Sequence, residues 1–398
     1  SIYEQGKYYI QVDYNGQIKT FKKSLLQKEI NEAVSLASDA FKEFRTISGE
    51  RKAAFLHAIA DEILALDDEL IQTYCSETGL PEGRAKGERG RTIGQLRNFA
   101  NLVAEGSWVE ASIDTADPER TPAPKPDLRK MLIPLGPIVV FGASNFPLAY
   151  STLGGDVMGA FAAGCPVIVK GHPFHAGTSL LSSEIIRDTL SKLKLHPGIF
   201  GHVLDDGYRI GQALVQDERI KGCGFTGSFE GGMALFRIAQ NRTAPIPFFA
   251  EMGSVNPVII LPDVENITSH VNALVNSITT DAGQFCTKPG VIFCPSSLID
   301  ETIRLMKLRF NQSPCHPLLH PTIQTRYQKR LNEIQTSSIG SLHLTHGDEF
   351  AAIQGFLHVN HIEFKTHKSL TKEVFGPFCI LVEYTDKEPL ENTLGTLQ

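Results

Sequence analysis

The sequence of 398 residues predicts an α/β protein with two successive α/β segments. Short apolar runs of strand type alternate with helical patterns from Gly136 onwards, and a second series of the same kind begins near Pro247. Hydrophobic residues make up 42% of the chain and charged residues 21%, which provides for a substantial core and excludes a disordered or fibrous protein. Because the strands are separated by helices, we expect doubly wound, mostly parallel sheets.

The first hundred residues are predicted to form a hairpin and then amphipathic helices. Strand-like runs at 8–14 and 17–21 flank Asn15-Gly16, a dipeptide that suits a two-residue turn in which both residues have positive φ. Ser24 and Gln27 have the spacing of a capping box. Apolar residues then recur at helical spacing over 30–44, 51–66 and 85–103.

Residues 107–136 differ in character from both neighbouring segments. Strand-like runs at 108–113 and 131–133 enclose a stretch that is rich in proline and carries charges of both signs. Long connections without secondary structure are uncommon inside compact domains. We therefore expect either a long surface hairpin or an interdomain strap.

From Gly136 the pattern is β-α-β. Predicted strands lie at 138–141, 166–170, 200–204 and 222–225, with helices at 155–163, 178–193, 209–215 and 231–239. After Pro247, strands are predicted at 258–261, 290–294 and 378–384, with helices at 268–282, 298–310 and 323–336. Parallel sheets bind ligands at the carboxyl ends of their strands, so polar residues that follow these strands are candidate site residues.

Charge and hydropathy argue against several classes of partner. The chain has 38 Lys and Arg against 44 Asp and Glu, a net charge of −6, whereas a nucleic-acid binder needs a basic face. The most apolar run, 158–169, is interrupted by glycine and proline and is too short to span a membrane. The N-terminus lacks the order of a signal peptide, and seven scattered cysteines without a CxxC pair indicate reduced thiols and a cytoplasmic location.

No metal site is expected. Three potential ligands, Cys315, His316 and His320, are close in sequence. Prolines lie among them at 314, 317 and 321, and they prevent the helical pairing that a metal site would require.

One candidate nucleophile is Cys286, in the motif GQFCT between a predicted helix and a predicted strand. An unperturbed thiol is only about 3% thiolate at pH 7, so a nucleophilic cysteine requires a base or a positive environment. The alternative is a small buried side chain with no chemical role.

Two further motifs carry groups suited to the same chemistry. Glu251, in FFAEMGS, is a candidate general base, with a helix cap or a solvated charge as the alternatives. Asn145, in GASNFP after a buried strand, is a candidate donor to an oxyanion, with a turn before Pro147 as the alternative.

The candidate cofactor residues follow strands as well. Gly227-Ser228 and Gly232 allow a phosphate to approach a helix N-terminus closely, although the spacing is not that of GxGxxG. Lys170 leaves a predicted parallel strand at its carboxyl end, followed by His172, and its alternative is a solvated lysine. The motif EVFGP, with Glu373 and Phe375, precedes the last predicted strand.

In this order the motifs SNFP, PVIVK, FTGS with Gly232, Glu251-Met-Gly, GQFCT and EVFGP resemble the aldehyde dehydrogenase superfamily, from about residue 25 to the end. The forms FGASNFPLAYSTLGGD, VIVKGHP, PIPFFAEMGSVNP and GQFCTKPG are most similar to α-ketoglutaric semialdehyde (2,5-dioxopentanoate) dehydrogenases, with an NADP-linked fatty aldehyde dehydrogenase as a near relative.

The resemblance implies two doubly wound Rossmann-like α/β domains with a protruding strand or hairpin segment. Residues 1–106 and 137–246 would form the cofactor-binding domain, 107–136 a bridging and oligomerisation segment, and 247–398 the catalytic domain. Family members continue well beyond EVFGP, so the resemblance also implies that the catalytic domain is incomplete at its C-terminus. The full-length form would be a homo-oligomer, either a dimer or a tetramer.

The resemblance also assigns roles to the candidate residues. Cys286 would attack the aldehyde to give a thiohemiacetal and then a thioester, Asn145 and the Cys286 N–H would hold the oxyanion, and Glu251 would activate water. The implied cofactor contacts are Lys170 at the adenosine ribose, Gly227, Ser228 and Gly232 at the pyrophosphate, and Glu373 with Phe375 at the nicotinamide ribose.

Charge indicates which nucleotide would bind. Many NAD-linked relatives carry a glutamate three residues after the strand lysine, and Pro173 occupies that place here. Without that carboxylate, Lys170 and His172 would attract a 2′-phosphate, so we expect NADP, with NAD accepted as well.

A small-molecule aldehyde is the expected substrate. A dicarboxylic semialdehyde needs a cation for its distal carboxylate, and Lys125, Arg129 and Lys288 are candidates for it or else solvated charges. The alternatives are a long-chain aldehyde dehydrogenase, a nucleotide-binding homologue without turnover, and a cysteine-dependent esterase.

Overall fold

The computed structural model describes residues 3–5, 8–12, 18–22, 25–204, 207–385, 390–395 and 397. The chain divides into two compact units, Ser1–Met252 and Gly253–Gln398. Each unit contains one five-stranded sheet with helices packed against it. The predicted α/β class with two sheets is therefore confirmed.

Three short antiparallel strands come first in the first unit. They are β1 (Tyr3–Gln5), β2 (Tyr8–Val12) and β3 (Ile18–Lys22). The pairing of β2 with β3 confirms the two predicted hairpin strands. The predicted turn at Asn15-Gly16 lies outside the described residues, as do Ser24 and the side chain of Gln27 in the predicted capping box.

Four helices follow. They are α1 (Leu25–Phe44), α2 (Gly49–Ala65), α3 (Asp67–Thr78) and α4 (Glu82–Glu105). The three predicted helices are confirmed, whereas the mostly polar sequence of α3 did not reveal a helix. Throughout the described parts of the chain, no helix is both long enough and apolar enough to cross a membrane.

Residues 107–136 contain a short hairpin in which β4 (Ser112–Asp114) pairs with β5 (Leu128–Lys130). The two predicted strands were misplaced. Trp108 lies in a 3₁₀ turn, and Glu110 has a left-handed φ of 49° that interrupts the extended backbone. All residues of β4 and β5 are exposed, which favours the surface hairpin over the strap.

The first sheet is entirely parallel, in the order β10-β9-β6-β7-β8. Its strands are β6 (Ile138–Phe141), β7 (Val167–Gly171), β8 (Phe200–Leu204), β9 (Gly222–Gly227) and β10 (Phe248–Met252). Its helices are α5 (Gly155–Ala163), α6 (Ala176–Lys192), α7 (Arg209–Gln216) and α8 (Phe229–Gln240). Alternate residues of β6 belong to different hydrophobic clusters, as expected for a sheet covered on both faces.

The chain runs outward from β6 through β7 to β8 and then resumes on the other side of β6 with β9 and β10. This reversal of strand order makes the β6–β9 pair a topological switch point, where ligands bind in open α/β sheets. Because β10 pairs with β9, the division between the units follows Met252 and not residue 246.

The second sheet has the order β11-β12-β15-β14-β13, parallel except for the antiparallel edge strand β13. Its strands are β11 (Pro257–Ile259), β12 (Val291–Pro295), β13 (Ser341–Thr345), β14 (Gln354–Asn360) and β15 (Phe378–Tyr384). The helices are α9 (Ile267–Thr279), α10 (Ile299–Gln312), α11 (Pro321–Thr336), α12 (His361–Thr366) and α13 (Leu390–Leu394). Neither β13 nor β14 was predicted.

Candidate active site

The candidate residues of the first unit lie at the carboxyl edge of its sheet. Lys170 is next to last in β7, Gly227 is last in β9, and Asn145 follows β6. Phe141 at the end of β6 pairs with both Lys170 and Phe225, so these strand ends are level with one another. Parallel pairing therefore brings the predicted residues of this unit to one edge.

A buried carboxylate holds the loop that carries Asn145. Glu88 on α4 is 2% exposed, and its Oε1 accepts the N–H groups of Leu148 and Ala149, each at 2.8 Å. Its Oε2 accepts from the Tyr74 hydroxyl at 2.7 Å and from Arg84 at 2.8 Å. Glu88 was not predicted as a site residue, although its spacing with Ala85 and Thr92 on the buried face of α4 is visible in the sequence.

Lys170 and His172 differ in what they can offer an anion. His172 caps the following 3₁₀ turn, with its Nδ1 accepting the Phe174 N–H at 3.2 Å. A ring nitrogen that accepts a hydrogen bond is unprotonated, so the imidazole is neutral in this arrangement. The positive charge at this strand end is therefore that of Lys170, and attraction by His172 would require loss of the cap.

The glycines after β9 have local structural roles in addition to any ligand role. Ser228 is the N-cap of α8 and accepts the Gly231 N–H at 3.3 Å. A Cβ on Gly232 would overlap the Met252 side chain, and one on Gly227 would lie 2.9 Å from the Phe225 ring. The turn can therefore expose backbone N–H groups at the start of α8, but packing alone also requires two of its glycines.

Glu251 lies within β10 and not in the turn that follows it. It pairs with Thr226 of β9 and is exposed. A strand residue cannot be a helix cap. Two interpretations of Glu251 therefore remain, a general base and a solvated charge.

In the second unit the candidates lie at the amino edge of the sheet. Cys286 precedes β12 and Glu373 precedes β15, and these strands are parallel neighbours. The two loops touch, because a Cβ on Gly283 would overlap the backbone of Gly376. The sheet of this unit therefore brings GQFCT and EVFGP together.

The backbone before Cys286 is unusual. The predicted helix 268–282 ends at Thr279, and Asp281, Ala282 and Gly283 follow with φ values of 48°, 54° and 68°. Successive left-handed residues are costly for L-amino acids. The buried side chain of Gln284 supports the turn, donating to the Asp281 carbonyl at 2.9 Å and accepting the Leu319 N–H at 2.9 Å.

Asn256, in the loop before β11, supports the other side of the same turn. Its Nδ2 donates to the carbonyl oxygens of Cys286 and Lys288, the second at 3.2 Å. Its φ of 39° is a conformation that asparagine adopts more readily than most residues. The motif EMGSVNP contains this residue, but no role for it was predicted from the sequence.

Cys286 is one of three half-buried cysteines, with Cys75 and Cys315, and the other four are buried. All seven are free, and burial raises the pKa of Cys75 and Cys315 as well as that of the four buried thiols. Cys379, for example, has its pKa raised to about 12 by full burial. Cys286 is half-buried and lies on the strained turn described above.

Lys288 is 3% exposed, and its ammonium donates to the Phe378 carbonyl at 2.7 Å. Burial lowers its pKa to about 8. Its role is therefore to join the Cys286 loop to β15, and its assignment to a substrate carboxylate is wrong. Lys125 and Arg129 are already paired with Asp114 at 2.7 Å and Asp127 at 2.9 Å.

Glu373 is only partly exposed and lies near Lys288. Burial raises the pKa of its carboxyl group, and the positive charge of Lys288 opposes that rise. A Cβ on Gly253 would overlap the Glu373 carboxylate, so glycine makes room for it. Phe375 lies in the same loop and is half-buried.

A cavity of about 950 Å³ in the first unit lies away from these residues. It is lined by segments that precede β6, β9 and β10, which places it at the amino edge of the sheet. Two of its cations are already engaged, Arg219 by Asp217 and Arg242 by the carbonyls of Val215 and Ile220. It is therefore separate from the candidate site.

Comparison with known proteins identifies a family and close relatives. The pattern described as "Aldehyde dehydrogenase family" matches residues 14–390. The chain is 43% identical to Alpha-ketoglutaric semialdehyde dehydrogenase 2 of Azospirillum brasilense, over 94% of this chain and 72% of that protein. It is 39% identical to Alpha-ketoglutaric semialdehyde dehydrogenase of Acinetobacter baylyi, over 97% of this chain and 74% of that protein.

A solved structure has the same fold. Glyceraldehyde-3-phosphate dehydrogenase GapN of Methanocaldococcus jannaschii, complexed with NADP, superimposes with a TM-score of 0.78. The match covers 97% of this chain and 83% of that chain at 20% identity. At this identity the match shows the fold alone.

The first prediction concerns Asn256→Gly, which permits the positive φ but removes both N–H donors. We expect the free energy of unfolding to fall by about 1–3 kcal/mol, because two carbonyl oxygens lose their partner. The matched control is Asn266→Gly, since Asn266 has a φ of 53° but only caps the exposed start of α9. That change should cost a few tenths of a kcal/mol. Equal losses in urea denaturation would contradict the role of Asn256.

The second prediction concerns Lys288. Its pKa of about 8 in the folded protein is below the ordinary value of 10.5, so the folded state loses its proton first as pH rises. The free energy of unfolding of the unmodified protein, relative to Lys288→Met, should therefore increase by about 2 kcal/mol between pH 7 and pH 10. Paired denaturation curves across this range measure it, and a constant difference would show that the ammonium is not buried.

Proposed function

This chain belongs to the aldehyde dehydrogenase family, and from that premise we propose that it oxidises an aldehyde to a carboxylic acid through a thioester on Cys286. The observation that carries the proposal is the place of Cys286. It lies half-exposed on a turn held by Gln284 and Asn256, beside the loop of Glu373. Reactive cysteines occur in partly exposed sites, and buried ones are inert.

The proposed reaction has two stages on the same sulfur. The Cys286 thiolate attacks the aldehyde carbon, and the oxygen becomes an alkoxide that the Asn145 amide and the Cys286 N–H stabilise. Loss of a hydride from that carbon leaves a thioester. Glu251 then accepts a proton from water, which attacks the thioester, releases the acid and restores the thiolate.

The residues of the first sheet are suited to NADP. Bound NADP supplies the hydride acceptor. Ser228 begins a helix of 12 residues at the carboxyl end of β9, where backbone N–H groups can bind a pyrophosphate. Lys170 supplies a positive charge on β7, the strand next to β6. Residue 173 is proline, so this position adds no carboxylate that would repel a 2′-phosphate. In the second unit, Glu373 with Phe375 would bind the nicotinamide ribose.

We propose α-ketoglutaric semialdehyde as the substrate and 2-oxoglutarate as the product. The support is the identity of 43% and 39% to two proteins that carry this name. A long-chain aldehyde is the alternative, and a kinetic screen separates the two. Faster turnover of a long-chain aldehyde than of the semialdehyde would overturn the proposed substrate.

We also propose that the protein forms a homo-oligomer in the cytoplasm. The hairpin formed by β4 and β5 and the segment after it expose several large apolar side chains, a surface that a partner subunit would cover. They are Ile113, Leu128, Met131, Leu132, Ile133 and Leu135. The free state of all seven thiols agrees with a reducing compartment.

The third prediction separates the two stages. Glu251→Gln should reduce steady-state turnover by about 10²- to 10⁴-fold, because hydrolysis lacks its base. It should still give a burst of one NADPH per active site, since the steps before hydrolysis remain. Cys286→Ser should give no burst. Rapid-mixing absorbance at the reduced nicotinamide band measures both, and a missing burst in Glu251→Gln would contradict the assigned role.

The fourth prediction concerns nucleotide choice. NADP should saturate at a lower concentration than NAD at matched ionic strength. Pro173→Glu should raise the KM for NADP by roughly tenfold or more and leave that for NAD little changed, because a carboxylate repels the 2′-phosphate. Pro173→Gln is the uncharged control. Equal saturation by both nucleotides in the unmodified protein would refute the preference.

A further inference from the structure

We propose that Arg91 on α4 binds the distal carboxylate of the substrate, an inference that rests on the proposed function. A dicarboxylic semialdehyde carries its carboxylate only a few carbon–carbon bonds from the aldehyde. The cation that recognises it must therefore stand beside a loop that holds the reacting group. The loop of Asn145 is such a loop, and α4 packs against it.

The contacts between α4 and this loop place Arg91 at its surface. The guanidinium of Arg91 lies 4.9 Å from the centre of the Tyr150 ring and donates to the Tyr150 hydroxyl. The Tyr150 ring packs edge-on against Phe146 at 5.1 Å, and Phe146 is the residue after Asn145. The Tyr150 carbonyl accepts the Ala143 N–H at 2.8 Å, so the loop closes on itself around Asn145.

Arg91 and Arg84 lie on the same face of α4 but differ in whether their charge is paired. Arg84 also lies over this loop, 4.5 Å from the Phe146 ring, but its charge is neutralised by Glu88 at 2.8 Å. Arg91 is exposed and forms no ion pair with any described residue. An arginine has five N–H donors in a fixed plane, and the bond to Tyr150 uses one of them.

The other candidate cations are already engaged. Lys288 is buried against a carbonyl oxygen, and Lys125 and Arg129 are paired with aspartates. An uncompensated guanidinium oriented by an aromatic ring is suited to bind a carboxylate through two hydrogen bonds. Arg91 has that environment.

The test uses three variants on one helix. Arg91→Gln removes the charge, Arg91→Lys keeps it without the planar donors, and Arg97→Gln is the matched control, because Arg97 lies further along α4 and faces Asp61 at 3.5 Å. The substrates are α-ketoglutaric semialdehyde and the neutral aldehyde pentanal. KM and kcat are measured for each, with thermal unfolding as the check on folding.

Arg91→Gln should raise the KM for the semialdehyde by roughly tenfold to a hundredfold, with the KM for pentanal and both kcat values within about twofold. Arg91→Lys should lose less, and Arg97→Gln should match the unmodified enzyme. An equal change for both aldehydes, or no change, would overturn the assignment while leaving the proposed function intact. If Arg91→Gln does not fold, Arg91→Lys takes its place in the test. A rise in its KM for the semialdehyde without a rise in its KM for pentanal supports the assignment, and an equal change or no change overturns it.

Failure of the proposed function gives a different result. The unmodified protein would then reduce neither nucleotide with any aldehyde. Calorimetric binding of 2-oxoglutarate would still test Arg91, since the product has the same distal carboxylate. Binding that is lost in Arg91→Gln and kept in Arg97→Gln supports the assignment, and equal binding by all three proteins overturns it.

Discussion

The buried carboxylate of Glu88 accepts four hydrogen bonds, and the position of the Asn145 loop depends on two of them. Each charge-assisted bond of this kind stabilises the folded state by about 1.5–3 kcal/mol. Because Glu88 and Arg91 lie on successive turns of α4, the same helix fixes both the backbone of the loop and the cation at its surface. The geometry of a loop with little regular structure is thereby set by a rigid helix.

In the second unit, the loop that carries the site residue is held in position in a different way. At the turn before Cys286, the carboxamides of Gln284 and Asn256 hydrogen-bond to backbone groups, and a lysine donates to the backbone of β15. The left-handed residues 281–283 would be unfavourable without these bonds. Polar side chains here compensate for backbone strain, and the contact of Gly283 with Gly376 keeps the turn beside the Glu373 loop.

Much of the fold follows from local sequence. Strands such as Ile138–Phe141 and helices such as Gly155–Ala163 have apolar patterns that match their burial, so they were predicted with their observed limits. The helix α3 and the strands β13 and β14 were missed. The sequence of α3 is mostly polar, and β14 begins with Gln354 and Gly355. Their stability comes from packing against distant elements, which periodicity does not report.

In the candidate site, too, some features could be predicted from local sequence and others could not. The motifs around Cys286, Asn145 and Glu373 were visible in the sequence, because each is a distinctive junction between regular elements. Whether a charged side chain is already paired or is available to a ligand could not be predicted, because its partners are far away in the chain. Lys288 follows Cys286 closely, and this place in the sequence makes it a candidate for a substrate cation, yet its ammonium lies against a carbonyl of residue 378. Arg91 is one of many charged residues on its helix and stands in no distinctive motif, yet it is the arginine whose charge is not compensated beside the Asn145 loop. Which cation is available to a ligand is therefore decided by tertiary pairing and not by distance along the sequence.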